Sequence, residues 1–206
     1  MLKKFDNSFL TDKIKIIAGI DEAGRGPLAG PVVAAATVFS GSVSIDGVND
    51  SKQVKENLRV ELFNKIRENC LAFGIGIIDE NEIEEINILQ ATLKAMKTAV
   101  EKLSLEPDLL LIDGNKSFIS SIPAKTIVQG DSKSFAIAAA SILAKVTRDK
   151  IMETAHEKYP QYSWNKNKGY ATKEHIEMIR KYGPSPLHRR KFLRKILSSG
   201  EQCKLF

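Results

Sequence analysis

The sequence of 206 residues contains only two cysteines, and they lie far apart at Cys70 and Cys203. A pair this widely separated provides neither a disulfide framework nor the ligand spacing of a zinc site. Cys70 lies among apolar residues, as a core cysteine does, and Cys203 lies close to the end of the sequence. The scarcity of cysteine therefore predicts a protein of the reducing cytoplasm.

Long apolar segments are also missing. The longest run of small apolar residues, 136–144, is interrupted by Ser141 and is too short to cross a bilayer. Residues 1–13 contain no apolar segment of the kind found in signal peptides. Internal repeats and low-complexity linkers are absent as well. We therefore expect an intracellular protein without membrane association, built as one domain with a small appendage.

Most of the sequence carries no net charge. The formal net charge is +6, and residues 181–206, with seven basic residues and one acid, account for all of it. A basic tail is typical of a surface that faces a polyanion, and a solvated helix that aids solubility is the alternative. Arg189, Arg190 and Lys191 are the tail residues that we expect to contact phosphates.

Hydrophobic periodicity predicts strands and helices that alternate after an initial pair of strands. The predicted strands are 13–20, 32–39, 71–78, 108–112 and 126–129. The predicted helices are 55–69, 86–103, 134–156, 172–182 and 187–197. This order indicates an α/β domain with a mixed β-sheet flanked by helices, followed by a helical C-terminal third.

Acidic residues follow three of the apolar strands. They are Asp21 with Glu22, Asp113, and Asp131. Ligands of open α/β sheets lie beyond the carboxyl ends of strands, so four carboxylates converge there if these strands are neighbours. Carboxylates this close repel one another unless a cation such as Mg²⁺ or Mn²⁺ neutralises them. Taken alone, however, Asp113 is typical of a turn and Asp131 of a helix cap.

A glycine-flanked arginine, Gly24-Arg25-Gly26, comes directly after the first acidic pair. Glycine lets the backbone approach a ligand, and arginine supplies a planar charged group that suits phosphate. Two metal ions about 3.5–4 Å apart can activate water and stabilise the leaving oxygen of a phosphodiester. The motif therefore indicates metal, phosphate and sugar chemistry in one place.

Seven segments together resemble ribonuclease HII, the type 2 ribonuclease H family. The first begins at Gly19 and reads Gly-Ile-Asp-Glu-Ala-Gly-Arg-Gly-Pro-Leu-Ala-Gly-Pro-Val-Val, a highly specific motif. The others are residues 49–52 (Asn-Asp-Ser-Lys), 86–92 (Ile-Asn-Ile-Leu-Gln-Ala-Thr), 111–115 (Leu-Ile-Asp-Gly-Asn), 130–133 (Gly-Asp-Ser-Lys), 138–149 (Ala-Ala-Ala-Ser-Ile-Leu-Ala-Lys-Val-Thr-Arg-Asp) and 168–172 (Lys-Gly-Tyr-Ala-Thr). They cover most of residues 16–193 in the family's order.

The resemblance implies a ribonuclease H-like fold and an endonuclease. Its substrates would be RNA–DNA hybrids and duplex DNA with single embedded ribonucleotides, cut to leave 3′-OH and 5′-phosphate ends. Residues 1–158 would form the catalytic domain, and residues 159–206 a basic, helical, substrate-binding extension packed on it. The protein is expected to act as a monomer with one or two Mn²⁺ or Mg²⁺ ions.

The resemblance also implies a role for individual residues. Asp21, Glu22, Asp113 and Asp131 would be the catalytic, metal-binding carboxylates. Gly24, Arg25 and Gly26 would sense the ribose 2′-OH, and Tyr170 would stack on the sugar beside the scissile junction. Further contacts with the substrate backbone are expected from Ser51, Lys52, Lys145 and Arg148.

Two positions depart from the family pattern, and two other functions compete with this interpretation. Asn167 stands where many members have His, and Lys191 replaces the usual Ser of the tail motif. An actin-like sugar or acetate kinase also has strand-end Asp-Gly loops, but the chain is short for two such domains. A non-catalytic duplex-binding module fits the basic tail, although four strand-end carboxylates suit a phosphate-binding surface poorly.

Overall fold

Five strands form one mixed sheet in the computed structural model, which describes residues 2–49 and 54–198. They are β1 (Ile17–Ala23), β2 (Val32–Val38), β3 (Ala72–Ile78), β4 (Leu109–Asp113) and β5 (Ala124–Ile127). The order across the sheet is β3-β2-β1-β4-β5. Strand β1 pairs antiparallel with β2 and parallel with β4, while β4 pairs parallel with β5. The predicted α/β fold with a mixed sheet is confirmed.

Helices cover both faces of this sheet. Those described are α1 (Leu2–Asn7), α2 (Glu56–Asn69), α3 (Glu80–Glu101), α4 (Phe135–Lys158), α5 (Trp164–Asn167), α6 (Lys173–Tyr182) and α7 (Arg190–Ser198). Asp79, Ser134 and Thr172 begin α3, α4 and α6, since each side-chain oxygen accepts from the backbone N–H three residues later. Such caps satisfy N–H groups that have no partner inside the helix.

The central strands are buried on both sides. Helix α3 shares one apolar cluster with the sheet, and α2 and α4 share another on the opposite face. Gly19 in β1 has no side chain, and a Cβ there would lie 2.2 Å from the backbone carbon of Ala136. The first turn of α4 therefore lies directly on β1, close to the strand end that carries Asp21 and Glu22.

The C-terminal helices form a separate apolar cluster with the end of α4 and the loop between β1 and β2. Its buried members are Leu28, Ala29, Met152, Ala155, Tyr162, Trp164, Ile179 and Leu193. This cluster fixes residues 159–198 beside the glycine-rich loop that follows β1.

Several element boundaries differ from those predicted. Strand β5 is Ala124–Ile127 rather than 126–129, because it is an exposed edge strand without an apolar pattern to mark it. Helix α7 begins at Arg190 rather than 187, because a turn at Ser185 precedes it. Helix α3 begins at Glu80, within the acidic stretch that is typical of a helix N-terminus, and is kinked at Asn87, whose φ is +67°. The Asn87 side chain accepts from two following N–H groups and thereby starts the second part of the helix.

Candidate active site

Two neighbouring parallel strands bring carboxylates to the same edge of the sheet. Ile20 of β1 is paired with Ile112 of β4, so Asp21 and Asp113 are the next residues along the two strands. Glu22 follows Asp21 on β1. All three carboxylates line one cavity of about 230 Å³.

Asp21 is the most buried of these carboxylates, with 6% of its surface exposed. Burial raises its pKa well above the usual value, and the negative charges of Glu22 and Asp113 raise the pKa further. Hydrogen bonds from the Glu22 N–H and the Ser141 side chain act in the opposite direction and do not offset these effects. Ser141 belongs to α4, which is how the helix beneath the sheet contributes to the site.

Asp113 is held in place by the segment that follows β5. Its Oδ1 accepts a hydrogen bond of 2.6 Å from the N–H of Gly130, the residue before Asp131. Asp131 itself is buried in a short 3₁₀ helix, Gly130–Ser132. The described residues that line the carboxylate cavity do not include Asp131. The structure therefore brings three of the four predicted acids to one cavity, and it places the fourth next to Gly130, the residue that bonds to Asp113.

The three clustered carboxylates fit a divalent cation by their chemistry. They supply only oxygen donors, and their mutual repulsion raises the pKa of Asp21, which a positive charge would relieve. In this structure two of the carboxylates bind protein groups: Glu22 pairs with Arg25 at 3.2 Å, and Asp113 accepts a hydrogen bond from the N–H of Gly130. Within residues 2–49 and 54–198, no three His, Cys, Asp or Glu side chains have the spacing of a formed metal site. Glu22 would exchange its arginine partner for the ion.

The loop between β1 and β2 begins beside these carboxylates. Gly24 has a φ of +98°, and a Cβ there would lie 2.2 Å from Nε of Arg148, so glycine is required on both counts. Gly24, Arg25 and Gly26 line the carboxylate cavity. Beyond them the loop is buried: seven of its carbonyls accept hydrogen bonds from Arg148 or Arg189, namely those of Gly24, Arg25, Pro27, Leu28, Ala29, Gly30 and Pro31.

Tyr170 lines the same cavity and is 44% exposed. A Cβ on Gly26 would lie 3.9 Å from its ring, and the Arg148 guanidinium carbon lies 5.8 Å from the ring centre. A partly exposed aromatic ring therefore lies next to the glycine loop at the cavity.

Asn167, one of the departures from the family pattern, stabilises the turn before Tyr170. Its side chain donates to the carbonyl of Tyr162 at 2.7 Å and accepts from the N–H of Gly169 at 2.8 Å. The intervening Lys168 and Gly169 both have positive φ angles. Asn167 therefore supports a turn that places Tyr170 at the cavity.

The expected backbone-contact residues have different positions. Lys145 lines the cavity and pairs with Asp149 at 2.5 Å. Arg148 is a correction: it is 1% exposed, and its guanidinium donates to the carbonyls of Ala29, Pro31 and Lys168. A guanidinium committed to internal carbonyls is not available to a phosphate. Ser51 and Lys52 lie outside the described residues.

The tail prediction also needs correction at Arg189, which is fully buried instead of facing solvent. Lys191 is exposed, but its backbone N–H and its Nζ both donate to Glu84 of α3. Arg190 is exposed, as expected of a residue that contacts phosphate. Charge alone could not distinguish these three, because burial of Arg189 depends on carbonyls more than 150 residues away.

Sequence reasoning missed a buried ring network in the C-terminal cluster. The Trp164 indole N–H donates to Nε2 of His175 at 3.0 Å, and His175 Nδ1 bonds to the carbonyl of Tyr170 at 2.8 Å. His188, next to Arg189, completes the network. The one available signal was the combination of a single tryptophan with two histidines in a polar, aromatic stretch.

Comparison with known proteins identifies the family. The family model described as Ribonuclease HII matches residues 18–195. The chain belongs to the ribonuclease HII family. One relative, Ribonuclease HII of Acetivibrio thermocellus, is 55% identical over 89% of this chain and 72% of its own length. The family consists of nucleases, so this chain is a hydrolase of the ribonuclease H class.

Solved structures of related enzymes place this chain in the ribonuclease H-like fold. The ribonuclease H2 from Pyrococcus horikoshii aligns with a TM-score of 0.74 at 27% identity, over 91% of this chain and 99% of that one. Bst-RNase HIII, solved in complex with Mn²⁺, aligns with a TM-score of 0.71 at 18% identity, over 93% of this chain and 72% of that one.

The described helices include none with the length and apolar character that a membrane span requires.

Proposed function

We propose that this chain hydrolyses the RNA strand of RNA–DNA hybrids and cuts at single ribonucleotides embedded in duplex DNA, leaving 3′-OH and 5′-phosphate ends. One observation carries the proposal: three carboxylates, a glycine-flanked arginine and an exposed tyrosine line the same cavity. The carboxylates would serve phosphodiester hydrolysis, and the arginine loop with the tyrosine would recognise a ribose between deoxyriboses.

Asp21, Glu22 and Asp113 would hold one or two divalent ions, Mg²⁺ or Mn²⁺. When bound, such ions lower the pKa of water and stabilise negative charge on the leaving oxygen. The chain itself orients the carboxylates: Gly130 fixes Asp113, and Ser141 bonds to Asp21. Asp131, which follows Gly130, would complete the ligand set or position water and product.

The rest of the cavity would recognise the substrate. The backbone of Gly24, Arg25 and Gly26 would contact the ribose 2′-OH, the group that distinguishes RNA from DNA. Tyr170 would stack on the adjacent sugar. Lys145, at the cavity wall, would approach the scissile phosphate once its pairing with Asp149 loosens, and Ser51 and Lys52 would contact the duplex backbone.

The C-terminal region would bind the flanking duplex. Residues 159–206 would act as a basic extension of a catalytic domain formed by residues 1–158, in a monomer that works in the cytoplasm. The exposed Arg190 and Arg194 of α7 are the described tail residues available to phosphates.

The test is cleavage of an end-labelled duplex that carries one ribonucleotide, with Mg²⁺, Mn²⁺ or EDTA, alongside a long RNA–DNA hybrid and an all-DNA duplex. We expect metal-dependent cuts in the first two substrates and none in the third. Product ends are checked by ligation, which requires a 5′-phosphate. Tight binding without metal-dependent cleavage would favour a duplex-binding module, and ATP turnover without nuclease activity a kinase.

A further inference from the structure

Arg189 uses every N–H of its guanidinium on the loop that follows β1. Five hydrogen bonds of 2.7 to 3.1 Å run from its side chain to the carbonyls of Gly24, Arg25, Pro27 and Gly30, the last of which accepts two. Its backbone N–H donates to Leu28 as well. Burying a guanidinium is costly, and full hydrogen bonding is the condition under which it is tolerated.

These bonds determine where the N–H groups of the loop point. In a trans peptide the carbonyl of one residue and the N–H of the next point in opposite directions. The carbonyl of Gly24 faces the buried guanidinium, so the N–H of Arg25 faces away from it. The carbonyl of Arg25 faces the same guanidinium, so the N–H of Gly26 also faces away. Among the described residues, no acceptor takes these two N–H groups, and both residues line the carboxylate cavity.

The second buried arginine does not serve these two peptides. Arg148 packs against Gly24, but its hydrogen bonds run to the carbonyls of Ala29, Pro31 and Lys168. The two guanidinium groups therefore hold different peptides: among the described residues, Arg189 is the arginine that bonds to the carbonyls of Gly24 and Arg25.

We propose that Arg189 is a positioning residue that directs the N–H groups of Arg25 and Gly26 into the cavity and thereby determines the preference for a ribose 2′-OH. The proposal rests on the proposed function, in which this loop contacts the sugar. Arg189 touches no substrate; it acts through the peptide planes that it holds.

The test compares binding of two fluorescent duplexes in EDTA, one with a single ribonucleotide and one of the same sequence in DNA only. Arg189→Lys keeps the charge but loses the planar set of five donors. We expect the Kd of the all-DNA duplex divided by the Kd of the ribonucleotide duplex to fall roughly tenfold, which corresponds to the loss of about 1.4 kcal/mol of hydrogen bonding to the 2′-OH. The Kd for the all-DNA duplex should change less than about twofold, and the melting transition should stay cooperative. Arg67→Lys, on the exposed surface of α2, is the matched control and should keep the wild-type ratio.

Each outcome is decisive. A wild-type protein that cleaves at the ribonucleotide, together with an unchanged ratio in Arg189→Lys, overturns this inference alone. A wild-type protein that does not cleave overturns the proposed function, and one that cleaves without any binding preference overturns both the loop's role and this inference. If Arg189→Lys does not fold, Glu84→Ala decides, because it removes the two carboxylate bonds to the N–H of Lys191 and loosens the start of α7 next to Arg189. Glu84→Ala should also lower the ratio of the two Kd values, and an unchanged ratio in that variant contradicts the proposal.

Discussion

The Nε2 atoms of His175 and His188 lie 3.1 Å apart in the buried C-terminal cluster. The N–H of Ser185 donates to Nδ1 of His188, so the His188 proton is on Nε2 and is donated to His175. His175 then carries its own proton on Nδ1, where the carbonyl of Tyr170 accepts it. Both rings must be neutral for this arrangement, and it connects the backbone of Tyr170 to the residue before Arg189.

The buried histidine pair predicts a loss of stability in mild acid. Burial, followed by the proximity of His175, lowers the pKa of His188 from 6.5 to about 4, and burial also lowers the pKa of His175. The unfolded chain therefore binds more protons than the folded one between pH 6.5 and 4, and the free energy of unfolding falls as pH drops through that window. For His188 alone the loss is about 3 kcal/mol.

The measurement is urea unfolding at several pH values for the wild type and His188→Asn. Asparagine keeps an oxygen for the Ser185 N–H but does not titrate. We expect the wild type to be the more stable protein at pH 7 and the difference to shrink steadily toward pH 4. Parallel pH profiles for the two proteins would contradict the assignment of neutral rings.

Asp113→Asn should remove most metal-dependent cleavage while leaving the fold intact. The amide oxygen can still accept from Gly130, but the negative charge that attracts a cation is lost. We expect kcat/KM to fall at least about a hundredfold, or roughly 3 kcal/mol of transition-state stabilisation. Asp108→Asn, at the other end of β4, is the control and should keep wild-type activity. Near wild-type turnover of Asp113→Asn in Mg²⁺ would exclude the carboxylate cluster as the metal site.

Tyr170→Ala should impair cleavage at single embedded ribonucleotides more than cleavage of long hybrids. An exposed ring next to Gly26 at the cavity could press on a sugar, and a deoxyribose would leave room for the ring where a ribose would not. Tyr170→Phe keeps the ring and should retain more of the preference. The comparison requires kcat/KM on both substrates for each variant, and equal losses would show a general role in folding or binding.

Substitution of the exposed tail arginines should weaken duplex binding without changing the cleavage site. Arg190→Ala and Arg194→Ala each remove one cation from the outer face of α7. Each lost phosphate contact should reduce the slope of log Kd against log salt concentration by about 0.9. An unchanged slope would mean that α7 points away from the substrate.

Gly19→Ala should destabilise the protein although it adds only a methyl group. The new Cβ would lie 2.2 Å from Ala136 and 2.3 Å from Ile137, both backbone atoms of α4 that cannot move independently of the helix. We expect a loss of about 1–3 kcal/mol or more. Gly41→Ala, where the nearest atom is 3.8 Å away, is the matched control. Similar melting temperatures for both variants would show that α4 can shift away from β1.

The layered fold was largely predictable, because the buried strands and the helix stripes have strong periodicity. The edge strand was misplaced by two residues, since Ala124–Ile127 is mostly exposed and the apolar pattern gives no signal there. The kink at Asn87 was not predicted either, because an asparagine with positive φ inside an apolar stripe looks like an ordinary helical residue.

The candidate site was predicted unevenly for a physical reason. Asp21, Glu22 and Asp113 could be found because parallel neighbours end at the same edge of a sheet, a local consequence of strand pairing. The carbonyl partners of Arg148 and Arg189 could not be predicted, because the sequence does not show whether a basic residue binds phosphates or carbonyls distant along the chain. Only tertiary contacts separate a buried arginine from an exposed one.

The loop next to the acidic strand β1 is held by Arg189, a residue far along the sequence. Arg189 and Gly24 are 165 positions apart, and a growing chain is made from its N-terminus. At a synthesis rate of roughly 5–20 residues per second, Arg189 is added about 10–30 s after the loop whose carbonyls it binds. The acidic strand is therefore synthesised before the residue that bonds its glycine loop, so a growing chain contains the carboxylates before the guanidinium that pairs with the loop carbonyls.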